Sequence, residues 1–300
     1  VRGGKIESVK WGIDLGGTKI SGIVFDDDPR QPVAYAKADT EQTGGYDHIL
    51  SQIESVVREL QQKSGLDLPA HIGIGHPGTT DPATGGIKNS NTQPLLGRPL
   101  VTDLSARLGT RFVGANDANC FALAEAMHGA AKGYATVFGI IMGTGVGGGV
   151  VIDGRVLSGA HGIAGEWGHS VLEPHGHLAY SGHRGVVESV LAGPSLERFY
   201  EECTGKHLGL RDIVQQKTDL AAIRTVDRLV EMFGRAVAPV VNLLDPDAIV
   251  VGGGVSNVDA LYERGPAEVA KWVFNYEFRT PILRAQLGAD AGVFGAAMLA

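Results

Sequence analysis

Apolar positions along this chain follow two rhythms. Short apolar runs stand at 10–14, 21–25, 34–37, 71–75, 111–115, 136–142, 149–152 and 248–251, several of them ending at glycine clusters, and these predict strands. Between them the spacing becomes helical. Ile49, Leu50, Ile53, Val56, Val57 and Leu60 form one stripe over 47–62. A second helix is expected after Asn116-Asp117, with Cys120, Leu123, Ala124 and Met127 on its face, and a long third one over 220–244, stopping at Asp245-Pro246-Asp247. Strands alternating with helices predict an α/β fold. The segment 172–184 has neither rhythm and is rich in histidine and glycine, so it is expected to belong to a site or an interface. The closing GVFGAAMLA reads as a helix that can pack on either lobe.

One segment recurs. Residues 11–28 (WGIDLGGTKISGIVFDDD) match 138–155 (FGIIMGTGVGGGVVIDGR) without a gap, coinciding at Gly12/Gly139, Ile13/Ile140, Gly16/Gly143, Gly22/Gly149, Val24/Val151 and Asp26/Asp153. Both copies read as strand, glycine-rich turn, strand. Such a turn exposes backbone N–H groups, and two of them suggest a polyphosphate held from two sides. The alternative is a pair of ordinary hairpins, because a turn that needs positive φ selects glycine on its own account. Only the first copy has a carboxylate, Asp14, where the second has Ile141. That asymmetry suggests one Mg²⁺ position, since Mg²⁺ takes one or two carboxylates beside substrate phosphates. One lobe per copy places the boundary near Asp117, with 1–117 and 290–300 as a small lobe and 118–289 as a large one.

Composition narrows the class. An apolar fraction of 43% and a charged fraction of 20% are those of a globular protein, and the 44 glycines are about twice the usual share. The formal charge of −7 argues against a nucleic-acid partner. Two cysteines, Cys120 and Cys203, make no disulfide framework and fit a reducing compartment. The start, VRGGKIESVKWGIDLGG, does not read as a leader, and no apolar run approaches the ~20 residues of a membrane span, so a cytoplasmic protein without a membrane partner is expected.

Candidate chemistry lies at the element ends. Asp14, Gly16, Gly17, Thr18 and Lys19 form the first phosphate candidate, and Thr144 and Gly145, within Gly143 to Gly147, the second. Lys19 is either a phosphate ligand or the solvated end of a hairpin. Gly253 and Gly254 follow a strand, where backbone can approach a flat ring closely. Asn116 and Asp117 sit where a strand meets a helix. Either residue can cap the helix, but a cap needs only one of them, which leaves Asp117 as a candidate general base for a sugar hydroxyl. Glu166, His169 and Glu188 supply acceptors and a switchable donor for hydroxyls, with Trp167 as a possible wall for a ring, unless they merely occupy a surface loop.

These motifs have a family. DLGGTK at Asp14, GHPG ending at Gly78, KNSN at Lys88, NDAN at Asn116, MGTGVGGG at Met142, AGEWGH at Ala164, LDPDAIVVGGG at Leu244 and GVFGAA at Gly292 resemble, in that order and over nearly the whole chain, the sugar kinases of the ROK family. The resemblance implies an actin-like (ribonuclease H-like) two-lobed sugar kinase fold with an ATP and sugar cleft between lobes, and a homodimer. It makes Asp117 the catalytic base, places Asp14 near Mg²⁺ through water, and gives Gly16, Gly17, Thr18, Lys19, Thr144 and Gly145 to the ATP phosphates and Gly253 and Gly254 to the adenosine. Gly78, Asn91, Asn116, Asp117, Glu166, His169 and Glu188 would bind the sugar.

The chain departs from the family at one place. Members usually hold a structural zinc with a histidine and three cysteines, whereas Ala179, Ser181 and Val186 stand at the cysteine positions here. His175, His177 and His183 crowd the same loop, but structural zinc favours thiolates, so no zinc is expected. The resulting expectation is an ATP- and Mg²⁺-dependent kinase acting on a sugar 6-hydroxyl. Fructose comes first, from the likeness of AGEWGH and 240–262 to bacterial fructokinases, with N-acetylglucosamine as the main rival and glucose or mannose behind. The alternative of another class is a sugar-sensing, repressor-like binding protein. Such a protein would carry a DNA-binding helix-turn-helix ahead of the first strand, where fewer than ten residues stand.

Overall fold

The computed structural model describes residues 9–300; residues 1–8, on which the leader reading rests, lie outside the described residues. In chain order the elements begin with β1 (Lys10–Leu15), β2 (Lys19–Phe25), β3 (Ala34–Asp39), α1 (Tyr46–Ser64), β4 (His71–His76), β5 (Thr79–Thr80), β6 (Ile87–Lys88), α2 (Leu100–Leu108), β7 (Arg111–Asn116) and α3 (Asp117–His128). They continue with β8 (Thr136–Met142), β9 (Val146–Ile152), β10 (Arg155–Val156), α4 (Val187–Leu191), α5 (Gly193–Thr204) and α6 (Leu210–Gln215). The last are α7 (Leu220–Leu244), β11 (Ala248–Gly252), α8 (Ala260–Glu263), α9 (Gly265–Ala270), β12 (Ile282–Arg284) and α10 (Ala291–Ala297). Every strand and helix expected from the two rhythms is present, most of them a residue or two longer. Among the described residues no helix is long and apolar enough to cross a membrane.

The chain divides into two compact units. The first runs up to Gly129 and includes Gly154–Ala164 and Leu287–Ala300; the second is Ala130–Asp153 with Gly165–Gln286. The units part after Gly129 rather than at Asp117, because α3 packs with α10, β4 and β7 and stays with them.

In the first unit the sheet order is β3-β2-β1-β4-β7, with β1 antiparallel to β2 and parallel to β4. The stripe on α1 is buried as its spacing predicts, each side chain worth about 1.5–3 kcal/mol of apolar transfer. Alternation along the strands puts α1 and α10 on opposite faces of the sheet. A Cβ on Gly22 would come within 2.6 Å of Val56, on α1, while one on Gly12 would come within 2.5 Å of Ala297, on α10. The closing helix therefore lies directly on the sheet of the first unit.

In the second unit the strands lie in the order β9-β8-β11-β12, with β8 antiparallel to β9 and parallel to β11. The repeated segment is thus the antiparallel hairpin of each sheet, followed in both by a parallel strand on the far side. Helix α7 is capped at its start by Asp219, whose carboxylate accepts from Ala221 N at 2.8 Å, and at its end by Asp245 in left-handed backbone (φ 46°). Two details differ from the sequence reading. Met127 is 39% exposed and lies off the packed face of α3. Gly16, Gly17, Gly143 and Gly145 are not among the glycines with positive φ, so neither repeated turn owes its glycines to left-handed backbone. Close approach accounts for Gly145, where a Cβ would lie 2.6 Å from Glu188 Oε2, and for Gly16, where one would lie 3.0 Å from Lys19 O.

Candidate active site

The first unit gathers three acidic residues, Asp14, Asp117 and Asp290, around the end of β1. Asp14 stands beside Gly75 of β4 in the parallel register. A Cβ on Gly75 would lie 3.3 Å from an Asp14 carboxylate oxygen and 3.1 Å from Cys120 Sγ, and one on Gly292 would lie 3.1 Å from the other Asp14 oxygen. Both glycines clear space for this carboxylate. Burial, then the charges of Asp117 and Asp290, push the Asp14 pKa up to about 7.

Asp117 opens α3, but Asn116 is the residue that caps it, its Oδ1 accepting from Ala118 N at 2.9 Å. Asn116 Nδ2 donates to Gly78 O at 2.9 Å. Gly78 itself has φ 81°, and a Cβ there would meet Lys88 O at 2.6 Å, so the loop carrying Asn91 is drawn against it. Asn91 is exposed on that loop. Ala118 N also reaches an Asp117 oxygen at 2.8 Å. The protein around Asp117 raises its pKa, against the pull of the Ala118 and Asn116 hydrogen bonds; its exposed side, open to water, weakens that push. Nearby His76 is fully buried, with Nε2 3.1 Å from Thr80 Oγ1, and burial lowers its pKa to about 4, which leaves it neutral.

The first phosphate turn is braced from behind. Gly16 N donates to Lys19 O at 2.9 Å, Thr40 Oγ1 to Gly16 O at 2.7 Å, Thr40 N to Thr18 O at 2.9 Å, and Gln42 Nε2 to Gly17 O. With its carbonyls all occupied, what the turn has to offer a ligand is N–H donors, the groups that phosphate oxygens need. Lys19 is exposed at the start of β2.

The second unit brings together the other expected residues. In the turn between β8 and β9, Gly143 N donates to Gly145 O at 2.9 Å, and Gly193 N, at the start of α5, donates to Gly143 O at 2.8 Å. Glu188 Oε2 accepts from Val146 N at 3.0 Å and lies 2.6 Å from where a Gly145 Cβ would stand, which ties this acid to the turn beside Thr144. Gly253 has φ 82°, and a Cβ there would strike Met142 backbone at 2.3 Å, whereas Gly254 faces open space. Glu166 precedes and His169 closes a short 3-10 helix, Trp167–His169, with Glu166 Oε2 3.7 Å from His169 Nε2. Trp167 is not a ring wall. It is buried, donates from Nε1 to Gly147 O at 3.0 Å and packs edge-on against Phe138 in the core.

The loop after His169 does not fit a structural zinc. Ala179, Ser181 and Val186 offer no thiolate, and among the described residues no three His, Cys, Asp or Glu side chains group as metal ligands. Hydrogen bonds close the loop instead: Leu172 N and Glu173 N both donate to Gly185 O at 2.8 Å, and Ala179 N to His183 O at 2.9 Å. Incubation with a strong chelator is therefore expected to leave the melting temperature unchanged. One tightly held zinc per chain in elemental analysis would contradict this.

Sequence reasoning missed Gly75, Cys120, Asp290 and Gly292 around Asp14. Gly75 and Gly292 lie inside the GHPG and GVFGAA motifs, where only their spacing to a carboxylate gave them meaning.

Comparison with known proteins gives the family. The sequence pattern of the ROK family matches residues 10–300. The chain is 33% identical to the N-acetyl-D-glucosamine kinase of Pasteurella multocida, over 97% of this chain and 99% of that one. Among solved structures, the ROK hexokinase of Thermus thermophilus superposes with a TM-score of 0.86 at 33% identity, covering 97% of both chains. A ROK family glucokinase from Streptomyces griseus, in complex with glucose and AMPPNP, superposes with a TM-score of 0.77 at 29% identity, covering 97% of this chain and 99% of that one.

Proposed function

Since the chain belongs to the ROK family and is an ATP-dependent sugar kinase, we propose that it phosphorylates the 6-hydroxyl of N-acetyl-D-glucosamine. Phosphoryl transfer asks little covalent chemistry of a protein; it asks for an oriented hydroxyl, a proton acceptor and neutralised phosphate charge. Asp117 is the acceptor. The observation that carries this reading is that Asn116 caps α3, so the helix start does not depend on the Asp117 carboxylate. Asn116, Gly78 and Asn91 in the first unit, and Glu166, His169 and Glu188 in the second, bind sugar hydroxyls. Gly16, Gly17, Thr18, Lys19, Thr144 and Gly145 receive the nucleotide phosphates, and Gly253 and Gly254 lie along the adenosine.

A magnesium ion suits the donor set of the first unit. The Asp14 carboxylate fits between Gly75 and Gly292, and burial, then the neighbouring acids, raise its proton affinity, the setting in which a hard cation gains most. When bound there, through water, Mg²⁺ would neutralise phosphate charge. A homodimer belongs to the same proposal.

The sugar rests on the relatives. Those that match nearly end to end at 33–34% identity carry N-acetyl-D-glucosamine in their names. Fructose, expected from AGEWGH and 240–262, has no such support. Glucose is the second reading, favoured by the 29% identical glucokinase. A polar site matched to one substituent pattern rejects a mismatched sugar strongly, because its own groups are left unpaired. In an ADP-coupled assay of N-acetylglucosamine, glucose, mannose and fructose, we expect kcat/KM to be highest for N-acetylglucosamine. A clear lead for another hexose would replace the sugar and leave the kinase standing.

A further inference from the structure

The loop that lacks thiolates puts a tyrosine where no site has been assigned. Gly185, in left-handed backbone at φ 61°, presses against Glu173 so closely that a Cβ would overlap its carbonyl oxygen. Glu173 in turn pairs with Arg228 of α7 at 2.6 Å, and His177 with Glu202 of α5 at 3.2 Å. Clamped in this way, the loop holds Tyr180 edge-on against His169, ring centroids 5.6 Å apart, with the phenol oxygen 3.3 Å from His169 Nε2. Tyr180 is 76% exposed, so its hydroxyl remains open to a ligand.

The other nitrogen of His169 decides which way the proton lies. Nδ1 is buried and has no hydrogen-bond partner among the described residues. A buried N–H left unpaired is rarer and more costly than an unpaired acceptor, so Nδ1 keeps its lone pair and Nε2 carries the hydrogen. Nε2–H then points toward the phenol oxygen of Tyr180 and the Glu166 carboxylate. Accepting from His169, the phenol keeps its own hydrogen to give. Partial burial, then the charges of Glu188 and Glu166, raise the Tyr180 pKa and keep it a donor.

We propose that Tyr180 is a specificity-determining residue of the sugar site, its hydroxyl holding His169 through Nε2 and donating to a sugar hydroxyl beside Glu166 and Glu188. The proposal rests on the reading that Glu166 and Glu188 bind the sugar; with Nε2–H given to Tyr180, His169 acts on the sugar through that hydroxyl. It gives the loop a positioning device made of protein where the family resemblance implies metal.

Tyr180→Phe keeps the ring edge-on to His169 and removes only the hydroxyl. In calorimetric titrations without nucleotide, its Kd for N-acetylglucosamine should rise about tenfold, the factor that goes with one hydrogen bond. In the coupled assay the sugar KM should rise likewise, with kcat within about twofold of wild type and the ATP KM unchanged. Tyr180→Ala, which also removes the ring, should weaken sugar binding further at an unchanged melting temperature. Histidine ¹⁵N spectra of the wild type should show His169 protonated at Nε2. Unchanged sugar affinity in Tyr180→Phe, or a proton on Nδ1, would overturn the proposal. A wild type that binds sugar yet releases no ADP would remove the kinase reading and leave Tyr180 in the binding site. A wild type that binds none of the four sugars would remove both.

Discussion

Asp117→Asn should lower turnover by about two to four orders of magnitude while sugar binding and folding stay near wild type. Two observations separate this residue's chemistry from its structural surroundings. The side chain that caps α3 is Asn116, bonded to Ala118 N at 2.9 Å, so the helix start survives the loss of the Asp117 charge. Asn at 117 can still accept from Ala118 N through its amide oxygen, so the local geometry is kept and only the proton acceptor is lost. The wild-type enzyme should also lose activity on acidification, because a base works only when deprotonated. The raised pKa of Asp117 moves that limb above the ordinary carboxylate range. Measuring kcat, sugar affinity and thermal unfolding on the same preparations checks the three statements together. Near-normal turnover in the variant would remove Asp117 from the chemistry.

Features that depend on local rhythm were legible in the sequence; those that depend on tertiary contact were not. The stripe on α1 and the two repeated hairpins announce themselves because each is long enough for its period to show. Elements such as α4, α6 and β12 are too short to establish a period, and they form because the core around them accepts Val187, Leu191, Ile213 and Ile282. Asp14 and Asp117 stood out as carboxylates at strand ends. The surroundings of Asp14 did not, because Gly75, Cys120, Asp290 and Gly292 meet only when α10 lies on the sheet beside α3. Trp167 misled for a related reason: flanked by Glu166 and His169 it reads as part of a binding surface, yet its indole N–H finds Gly147 O and its ring finds Phe138. The glycines of the phosphate turns were legible as a pattern, but their cause was not, since Gly145 is set by the Glu188 carboxylate behind it rather than by its own dihedral angles.

Asp14→Asn should stabilise the free protein at pH 8 and cripple it as a kinase. In the folded chain the Asp14 pKa is pushed from its ordinary 3.8 up to about 7, first by burial and then by the charges of Asp117 and Asp290. A carboxyl whose folded pKa is raised favours folding fully below its unfolded pKa, and loses that contribution as pH climbs through the folded one. Wild-type stability should therefore fall between about pH 4 and pH 7 by on the order of 4 kcal/mol from this group, and level off above. The asparagine variant carries no charge in either state and lacks this descent. Its advantage over wild type in urea unfolding should be small near pH 4 and close to that full amount at pH 8. Activity should move the other way, because the charge that strains the empty protein is the one that Mg²⁺ with ATP would neutralise, and an amide offers a cation much less. Added Mg²⁺ and nucleotide should accordingly stabilise wild type at pH 8 more than they stabilise the variant. Equal pH profiles of stability for the two proteins would mean that Asp14 ionises in the folded chain as easily as in water.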